Sequence, residues 1–240
     1  MEILIAVSKI NRYSTPDGGD TLEVIERPNG GLSVVLADGQ SNGQESKIIS
    51  SLVVHKVISL LAEGIRDSAA ARATSDFLYT ERGGKVSATL NILSVDLQTN
   101  TVVISRNNSA PVFIVAHDRI DCMSSESLPI GSARNIRPST SELPLESGLT
   151  IIMYTDGLLH AGERYGKTLD VCTTIEAMVM DIESTSQDFP SPQKLADALL
   201  ANAIRLDEGR PEDDISVVVL KSVEQSRDAI RRMDIRFPVI

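Results

Sequence analysis

Three aspartates of the sequence stand where an apolar stretch begins or ends. Asp38 and Asp156 each close an apolar stretch and are each followed by glycine. Asp213, with Asp214, stands just before an apolar stretch. Buried strands would hold such carboxylates rigidly, and carboxylate oxygens are the ligands that Mg²⁺ and Mn²⁺ prefer. Two such ions about 3.5–4 Å apart clamp a phosphate oxyanion and activate a water. The three corners therefore predict a shared site suited to phosphate ester hydrolysis.

Each corner taken alone has a more ordinary interpretation. An Asp-Gly pair is more often a simple turn, and an acidic pair before a strand is common on protein surfaces. The combination of three corners beside apolar runs favours the site. Gly39 and Gly157 are each expected to permit a sharp turn and to leave their carbonyl open to a ligand.

The elements that must position these residues follow from the hydrophobic periodicity. Residues 48–61 are apolar at helical spacing and Gly64 ends that helix, while Asp67 or Ser68 is expected to cap a second helix. Ser191 is expected to cap a third helix over residues 191–206. Alternating or apolar runs predict strands at 3–7, 22–25, 32–36, 85–95, 101–105, 112–115, 149–154 and 215–220. This order predicts an α+β fold with antiparallel sheets and helices packed outside.

Composition and charge exclude several classes of protein. The net charge is −10 and the pI is about 4.8, which argues against nucleic-acid binding and against an electrostatic membrane anchor. Cys122 and Cys172 form no CxxC or Cys/His cluster, so neither a zinc site nor a disulfide scaffold is predicted. With no secretory signal or membrane span in the sequence, we expect a soluble cytoplasmic protein without a membrane partner.

A set of short motifs, in a fixed order, resembles a known family. The motifs are Gly19-Asp20, Ala37-Asp38-Gly39 with Gly43, Ser87–Thr89, Pro129–Gly131, "YTDGLLHA" at 154–161, "GERYG" at 162–166 and "DDISVVVL" at 213–220. Each motif is weak alone, but the ordered set spans the chain to about residue 222. The sequence thereby resembles the metal-dependent serine/threonine protein phosphatases of type 2C (the PPM family), in the SpoIIE-like bacterial branch.

The resemblance implies a fold and a set of ligands. It implies a central sandwich of two antiparallel sheets flanked by helix pairs, with two Mg²⁺ or Mn²⁺ ions at one end. By position, Asp38 would bridge both ions and the carbonyl of Gly39 would hold one of them. Asp156 and Asp213 would hold the other, and Asp20 would orient metal-bound water from outside the ligand set. Asp214 falls where a neighbour of the ligand stands.

The sequence also departs from the pattern of that branch. Ser41-Asn42-Gly43 replaces a usual Gly-His-Gly, Asn108-Ser109 replaces a second Gly-His, and His160 stands where an acidic residue is frequent. No expected imidazole is therefore placed to protonate the leaving alkoxide, and a metal-bound water would have to do so. Arg12 is a candidate phosphate clamp, although a surface arginine is the ordinary alternative.

We therefore expect an enzyme that hydrolyses phosphoserine or phosphothreonine on a bacterial regulatory protein, such as an anti-sigma antagonist. An aspartate-nucleophile phosphatase of the haloacid dehalogenase type is rejected because Leu158, not Asp, lies two positions after Asp156. A catalytically impaired phosphatase fold acting as a binding module stays open. Residues 1–222 are expected to form the phosphatase domain, and 223–240 an extension that is an added strand, a docking tail or an unremarkable ordered tail.

Overall fold

The computed structural model describes residues 1–14, 17–41, 44–116, 119–185, 191–224, 230–236 and 238, without the side chains of 179–185. Within these residues, ten strands form two antiparallel sheets with the orders β1-β10-β9-β6-β7 and β2-β3-β4-β5-β8. The strands are β1 Glu2–Ile10, β2 Asp20–Glu26, β3 Gly31–Gln40, β4 Ser87–Asp96, β5 Thr101–Asn107, β6 Val112–Ala116, β7 Arg119–Met123, β8 Ser139–Pro144, β9 Thr150–Tyr154 and β10 Ile215–Val223. The predicted α+β sandwich is confirmed.

Helices cover the outer faces of the two sheets. Helices α1 and α2 pack with the outer face of the β2–β8 sheet, and α4 and α5 pack with that of the other sheet. The helices are α1 Gln44–Ala62, α2 Asp67–Arg82, α3 Gly157–His160, α4 Val171–Thr185 and α5 Pro192–Leu206. No helix in the described part of the chain is both long and apolar enough to cross a membrane.

Side-chain alternation along the strands decides which residues face the interior between the sheets. In β3, Val34 and Leu36 lie in the core between the sheets, whereas Val35 and Ala37 face the helices. In β10, Val218 lies between the sheets. Because successive residues of a strand point to opposite faces, the even-numbered residues at these strand ends also turn inward. By this parity, Asp38 of β3 and Ser216 of β10 point between the sheets.

Several local predictions differ from the structure. Helix α2 does begin at Asp67, but Arg66 is its N-cap residue and makes no side-chain cap. The carboxylate of Asp67 instead pairs with Arg27 at 2.7 Å, so the predicted cap is wrong. The predicted cap of Ser191 on α5 is confirmed, because its hydroxyl accepts a hydrogen bond from Lys194 N at 3.3 Å.

The C-terminal residues show no strand where the structure describes them. Residues 230–236 lack regular structure, and Ile235 is 81% exposed. Arg231 contacts Glu26 of β2 at 2.9 Å. Phe237 and Val239, on which the expectation of an added strand depended, lie outside the described residues.

Candidate metal centre

Two carboxylates face each other across neighbouring strands at one end of the sandwich. Asp20, the first residue of β2, pairs directly with Asp38 near the end of β3. Directly opposed residues of antiparallel strands project on the same face. Asp38 continues the inward parity of Leu36, so both carboxylates point between the sheets, and both are buried.

Polar residues of the opposite sheet hold the carboxylate of Asp20. Its Oδ2 accepts hydrogen bonds from Thr155 Oγ1 at 3.0 Å and from Ser216 Oγ at 2.6 Å. Its Oδ1 is buried and has no hydrogen-bond partner among the described residues. Burial raises the pKa of Asp20 to about 7, against the lowering effect of Ser216. Asp20 is therefore a fixed carboxylate with one oxygen free inside the centre.

The corner after β9 is pressed against the start of β10. A Cβ added to Gly157 would lie 2.2 Å from the carbonyl oxygen of Asp214, so only glycine fits there. Gly39 is equally constrained, with the Ser46 carbonyl oxygen 2.1 Å from an added Cβ. Neither glycine is among the residues with positive φ. Close approach of a second backbone, rather than a positive φ, is therefore what requires glycine at these two positions.

The two adjacent aspartates before β10 point to different environments. Asp214 is 3% exposed, and its carboxylate accepts hydrogen bonds from the backbone N–H groups of Arg12 and Gly19. Asp213 is an exposed residue whose Oδ1 accepts from the N–H of Asp214 at 2.8 Å. Asp214 thus anchors the segment between β1 and β2, while Asp213 is accessible to a ligand.

Mutual repulsion marks the carboxylates as one electrostatic group. Burial, followed by the charges of Asp20, Asp156, Asp213 and Asp214, raises the pKa of Asp38 to about 9. Partial burial also raises the pKa of Asp213, and the charges of Asp156 and Asp214 act in the same direction. A cation placed among these groups would offset that repulsion.

The oxygen donors at this centre suit a hard divalent cation, although they do not yet surround a single position at which one could bind. Carboxylate and carbonyl oxygens are the ligands that Mg²⁺ and Mn²⁺ take, and the unpartnered Oδ1 of Asp20 faces the same region. No three His, Cys, Asp or Glu side chains in the described ranges form a cluster able to hold a metal. Binding of a cation would therefore have to draw the carboxylates closer together.

The carbonyl of Gly39 is already engaged. It accepts a hydrogen bond from Ser41 N at 2.9 Å and a short one from the hydroxyl of Ser46 in the first turn of α1. A carbonyl oxygen has two lone pairs, so both are in use. The expectation of an open carbonyl at this position does not hold in this conformation, and a metal at Gly39 requires Ser46 to turn away.

His160 lies close to the centre, where its surroundings favour the protonated ring. It ends α3, one helical turn after Asp156, and its Nδ1 lies 2.8 Å from Glu163 Oε1. The hydrogen bond to Glu163 raises the pKa of His160, and the charges of Asp156 and Asp213 add to the effect. The sequence showed a histidine in place of an acid, and the structure shows how Glu163 favours its protonated form.

The structure thus brings Asp20, Asp38, Asp156 and Asp213 to one end of the sandwich, while Gly43 lies outside the described residues. Arg12 lies near enough to Asp213 to lower that carboxyl's pKa in part. Sequence reasoning missed the polar residues that support the centre: Lys9, Ser46, Lys47, Thr155 and Ser216. The available signal was a serine inside the otherwise apolar run 215–220, at a position with inward parity.

Comparison with known proteins relates the chain to one family. A family model described as Stage II sporulation protein E (SpoIIE) matches residues 28–223. Stage II sporulation protein E of Priestia megaterium is 24% identical over 203 residues, which cover 85% of this chain and 33% of that protein. The chain therefore spans about a third of the length of this curated relative.

Solved structures share the fold at low sequence identity. The PP2C phosphatase domain of SpoIIE from Bacillus subtilis, with a fragment of its regulatory domain, aligns with a TM-score of 0.77 and 21% identity, covering 94% of this chain and 64% of that one. The catalytic domain of the serine/threonine protein phosphatase PstP, in complex with two manganese ions, aligns with a TM-score of 0.69 and 14% identity, covering 92% and 99%.

Proposed function

The chain belongs to the SpoIIE family, whose domain is of the PP2C type, and from that premise we propose that it hydrolyses phosphoserine and phosphothreonine esters with Mg²⁺ or Mn²⁺. The observation that carries this proposal is the cross-strand pair of Asp20 and Asp38, which faces Asp156 and Asp213 at one end of the sandwich. Raised carboxylate pKa values at a shared site are typical of functional centres.

In this proposal each carboxylate has its own role. Asp38 would hold both divalent ions, Asp156 and Asp213 would hold one of them, and the carbonyl of Gly39 would hold the other once Ser46 has turned away. The bound ions supply a Lewis acid and a water activated for attack on phosphorus. Accessible Asp213, rather than buried Asp214, suits the role of a ligand.

Asp20 is proposed to orient the attacking water. Thr155 and Ser216 fix its Oδ2, so Oδ1 is held in one direction and can accept a hydrogen bond from water. Both sheets contribute to this arrangement, because Asp20 belongs to β2, whereas Thr155 follows β9 and Ser216 lies in β10. Such a preorganised acceptor lowers the cost of positioning the nucleophile.

The proposed substrate is a phosphorylated bacterial regulatory protein, such as an anti-sigma antagonist. The net charge of −10 repels acidic partners only within about 10 Å at 0.1 M salt, so recognition depends on the local surface at the centre. A folded phosphoprotein is expected to be hydrolysed with a much higher kcat/KM than a short peptide carrying the same phosphosite. A peptide as good as the folded protein would contradict recognition through the protein surface.

Residues 1–222 are proposed to form the catalytic unit and residues 223–240 an extension of it. Two observations favour a second candidate function, a phosphatase fold that binds phosphoproteins without turnover. The carbonyl of Gly39 is engaged by Ser46, and neither of the two family Gly-His positions carries histidine.

Hydrolysis of para-nitrophenyl phosphate with and without Mn²⁺ separates the two functions. An enzyme is expected to turn over only with the ion and to stop when EDTA is added. Full activity in EDTA would reject a dimetal mechanism. Manganese binding without turnover, on this substrate and on a phosphoserine protein, would favour the binding module.

A further inference from the structure

Two lysine side chains converge on one backbone oxygen beside the carboxylate cluster. The Nζ of Lys9, in β1, lies 2.6 Å from the carbonyl oxygen of Asp20, and the Nζ of Lys47, in the first turns of α1, lies 2.7 Å from the same atom. Lys47 also donates to Thr21 Oγ1 at 3.0 Å. Because both nitrogens share one acceptor, the two positive charges are forced close together.

Carboxylates act on this pair of charges without an ion pair in the described part of the chain. Burial raises the pKa of Asp20, and the charge of Lys9 acts against this. None of the ion pairs within the described part of the chain includes Lys9 or Lys47. An ammonium group has three N–H donors, and the acceptors described for these two lysines do not use all of them. Burial, followed by the charge of Lys9, lowers the pKa of Lys47, although the charges of Asp20, Asp214 and Asp17 act against this.

The lysine pair borders the carboxylates. Lys9 lies directly opposite Ser216 of β10, which donates a hydrogen bond to the Asp20 carboxylate, and Lys47 approaches from α1. Among the described strands, β2 lies at the edge of its sheet and pairs only with β3. A strand carbonyl lies in the plane of the sheet, perpendicular to the side chains. The Asp20 carbonyl that receives both lysines therefore points out of the sheet edge, whereas the Asp20 carboxylate points between the sheets.

This placement separates two parts of an incoming phosphoprotein. A phosphoryl group delivered to Asp38 would lie at the carboxylates, while a residue near it in the substrate chain would pass over the sheet edge. Lys9 is exposed there and Lys47 is half-buried. An anionic side chain would find two cations already held in position, and its charge would offset their mutual repulsion.

We propose that Lys9 and Lys47 form a recognition site for an acidic side chain that lies near the phosphorylated residue in the substrate protein. The proposal rests on the proposed phosphatase function, since it names the class of substrate for the same centre. It makes the two lysines determinants of specificity, with the carboxylate of a substrate Asp or Glu as their ligand.

The test compares two phosphoserine peptides that differ only in having Glu or Gln at the positions flanking the phosphosite. With saturating Mn²⁺, the wild-type chain is expected to prefer the Glu peptide by about fivefold in kcat/KM, the size expected of partly exposed ion pairs. In Lys47→Met, and in the double variant Lys9→Met/Lys47→Met, the ratio is expected to fall towards one. Lys9→Arg/Lys47→Arg keeps the charges and is expected to keep the preference.

Lys56→Met is the matched control, because Lys56 lies on the same helix and contacts Phe77 instead. It removes the same charge and is expected to leave the ratio as in the wild type. A wild-type chain without preference would overturn the proposal. So would an equal loss on both peptides with the ratio intact, which would indicate a general role in catalysis or in contacting the phosphoryl group itself.

Binding keeps this test independent of turnover. Fluorescence anisotropy of the two labelled peptides gives the same Glu-to-Gln ratio for any variant whose circular dichroism spectrum is native. A chain that binds the Glu peptide preferentially but hydrolyses nothing would contradict the proposed enzyme and support the recognition site. If the Met variants do not fold, the wild-type ratio and the Arg variant still decide the outcome.

Discussion

Replacing Asp38 with Asn is expected to abolish metal-dependent activity and also to stabilise the metal-free protein. Asp38 is 9% exposed, and burial together with four neighbouring carboxylates raises its pKa from 3.8 to about 9. When folding raises the pKa of a carboxyl, its contribution to stability is complete at pH values below its pKa in the unfolded chain. That contribution is lost as the pH rises through its pKa in the folded protein.

The size of the effect follows from the two pKa values. At pH 7 folding requires protonation of a carboxyl that is ionised in the unfolded chain, and each pH unit above 3.8 costs about 1.4 kcal/mol. The cost at pH 7 is therefore at most about 4 kcal/mol. Asn removes it, and for a chain of this length each kcal/mol moves Tm by roughly 2–4 °C, so the gain has an upper limit of about 16 °C.

The assay is thermal unfolding of both proteins in EDTA from pH 4 to pH 9, repeated with Mn²⁺. The Tm of the variant is expected to equal that of the wild type near pH 4 and to exceed it increasingly towards pH 9. Added Mn²⁺ is expected to raise the Tm of the wild type more, because a bound cation favours the ionised carboxylate. Asp121→Asn, an exposed aspartate of β7, is the control. A variant less stable than the wild type at pH 8 in EDTA, or one with full Mn²⁺-dependent turnover, would refute the reasoning.

Four further variants test the same geometry. Asp213→Asn is expected to remove most Mn²⁺-dependent activity with little change in Tm. Asp214→Asn is expected to keep more activity but to lose about 1–3 kcal/mol of unfolding free energy, because one buried backbone N–H loses its acceptor. Ser46→Ala is expected to bind Mn²⁺ more tightly, as measured by the electron paramagnetic resonance signal of the free ion, because it releases a carbonyl that the ion would use. Glu163→Gln is expected to lower the pKa of His160, as measured by NMR titration of its ring, because it removes the charge that holds the imidazolium.

Each of these outcomes has a result that contradicts it. Equal losses of activity in the two aspartate variants would mean that the assignment of the ligand is off by one residue. A Ser46→Ala variant with unchanged or weaker Mn²⁺ binding would exclude the competition for the carbonyl. An unchanged titration of His160 in Glu163→Gln would show that the hydrogen bond with Glu163 is not what favours the charged ring.

The residue patterns of the sequence predicted antiparallel strands and three acidic corners, and its resemblance to the type 2C phosphatases predicted the sandwich. Long apolar or alternating runs such as residues 215–220 and 32–36 leave little choice of element, because their burial requires strands. The edge strands β7 and β8 were not predicted, since each has one face in solvent and shows only a weak apolar pattern. Local pattern is thus informative where a strand carries an apolar face, as the edge strands β1 and β2 do, and weak where it does not.

Only the tertiary structure decided which aspartate at the start of β10 is buried and which is accessible to a ligand. Asp213 and Asp214 have identical side chains, and the sequence does not say which one turns inward. In the structure Asp214 follows the inward parity of β10, and its carboxylate accepts hydrogen bonds from the backbone N–H groups of Arg12 and Gly19. Likewise, the sequence does not show that the hydroxyl of Ser46 donates a hydrogen bond to the Gly39 carbonyl. These contacts join segments far apart in the chain, and their geometry depends on the packing of two sheets and a helix, which no local pattern of residues encodes.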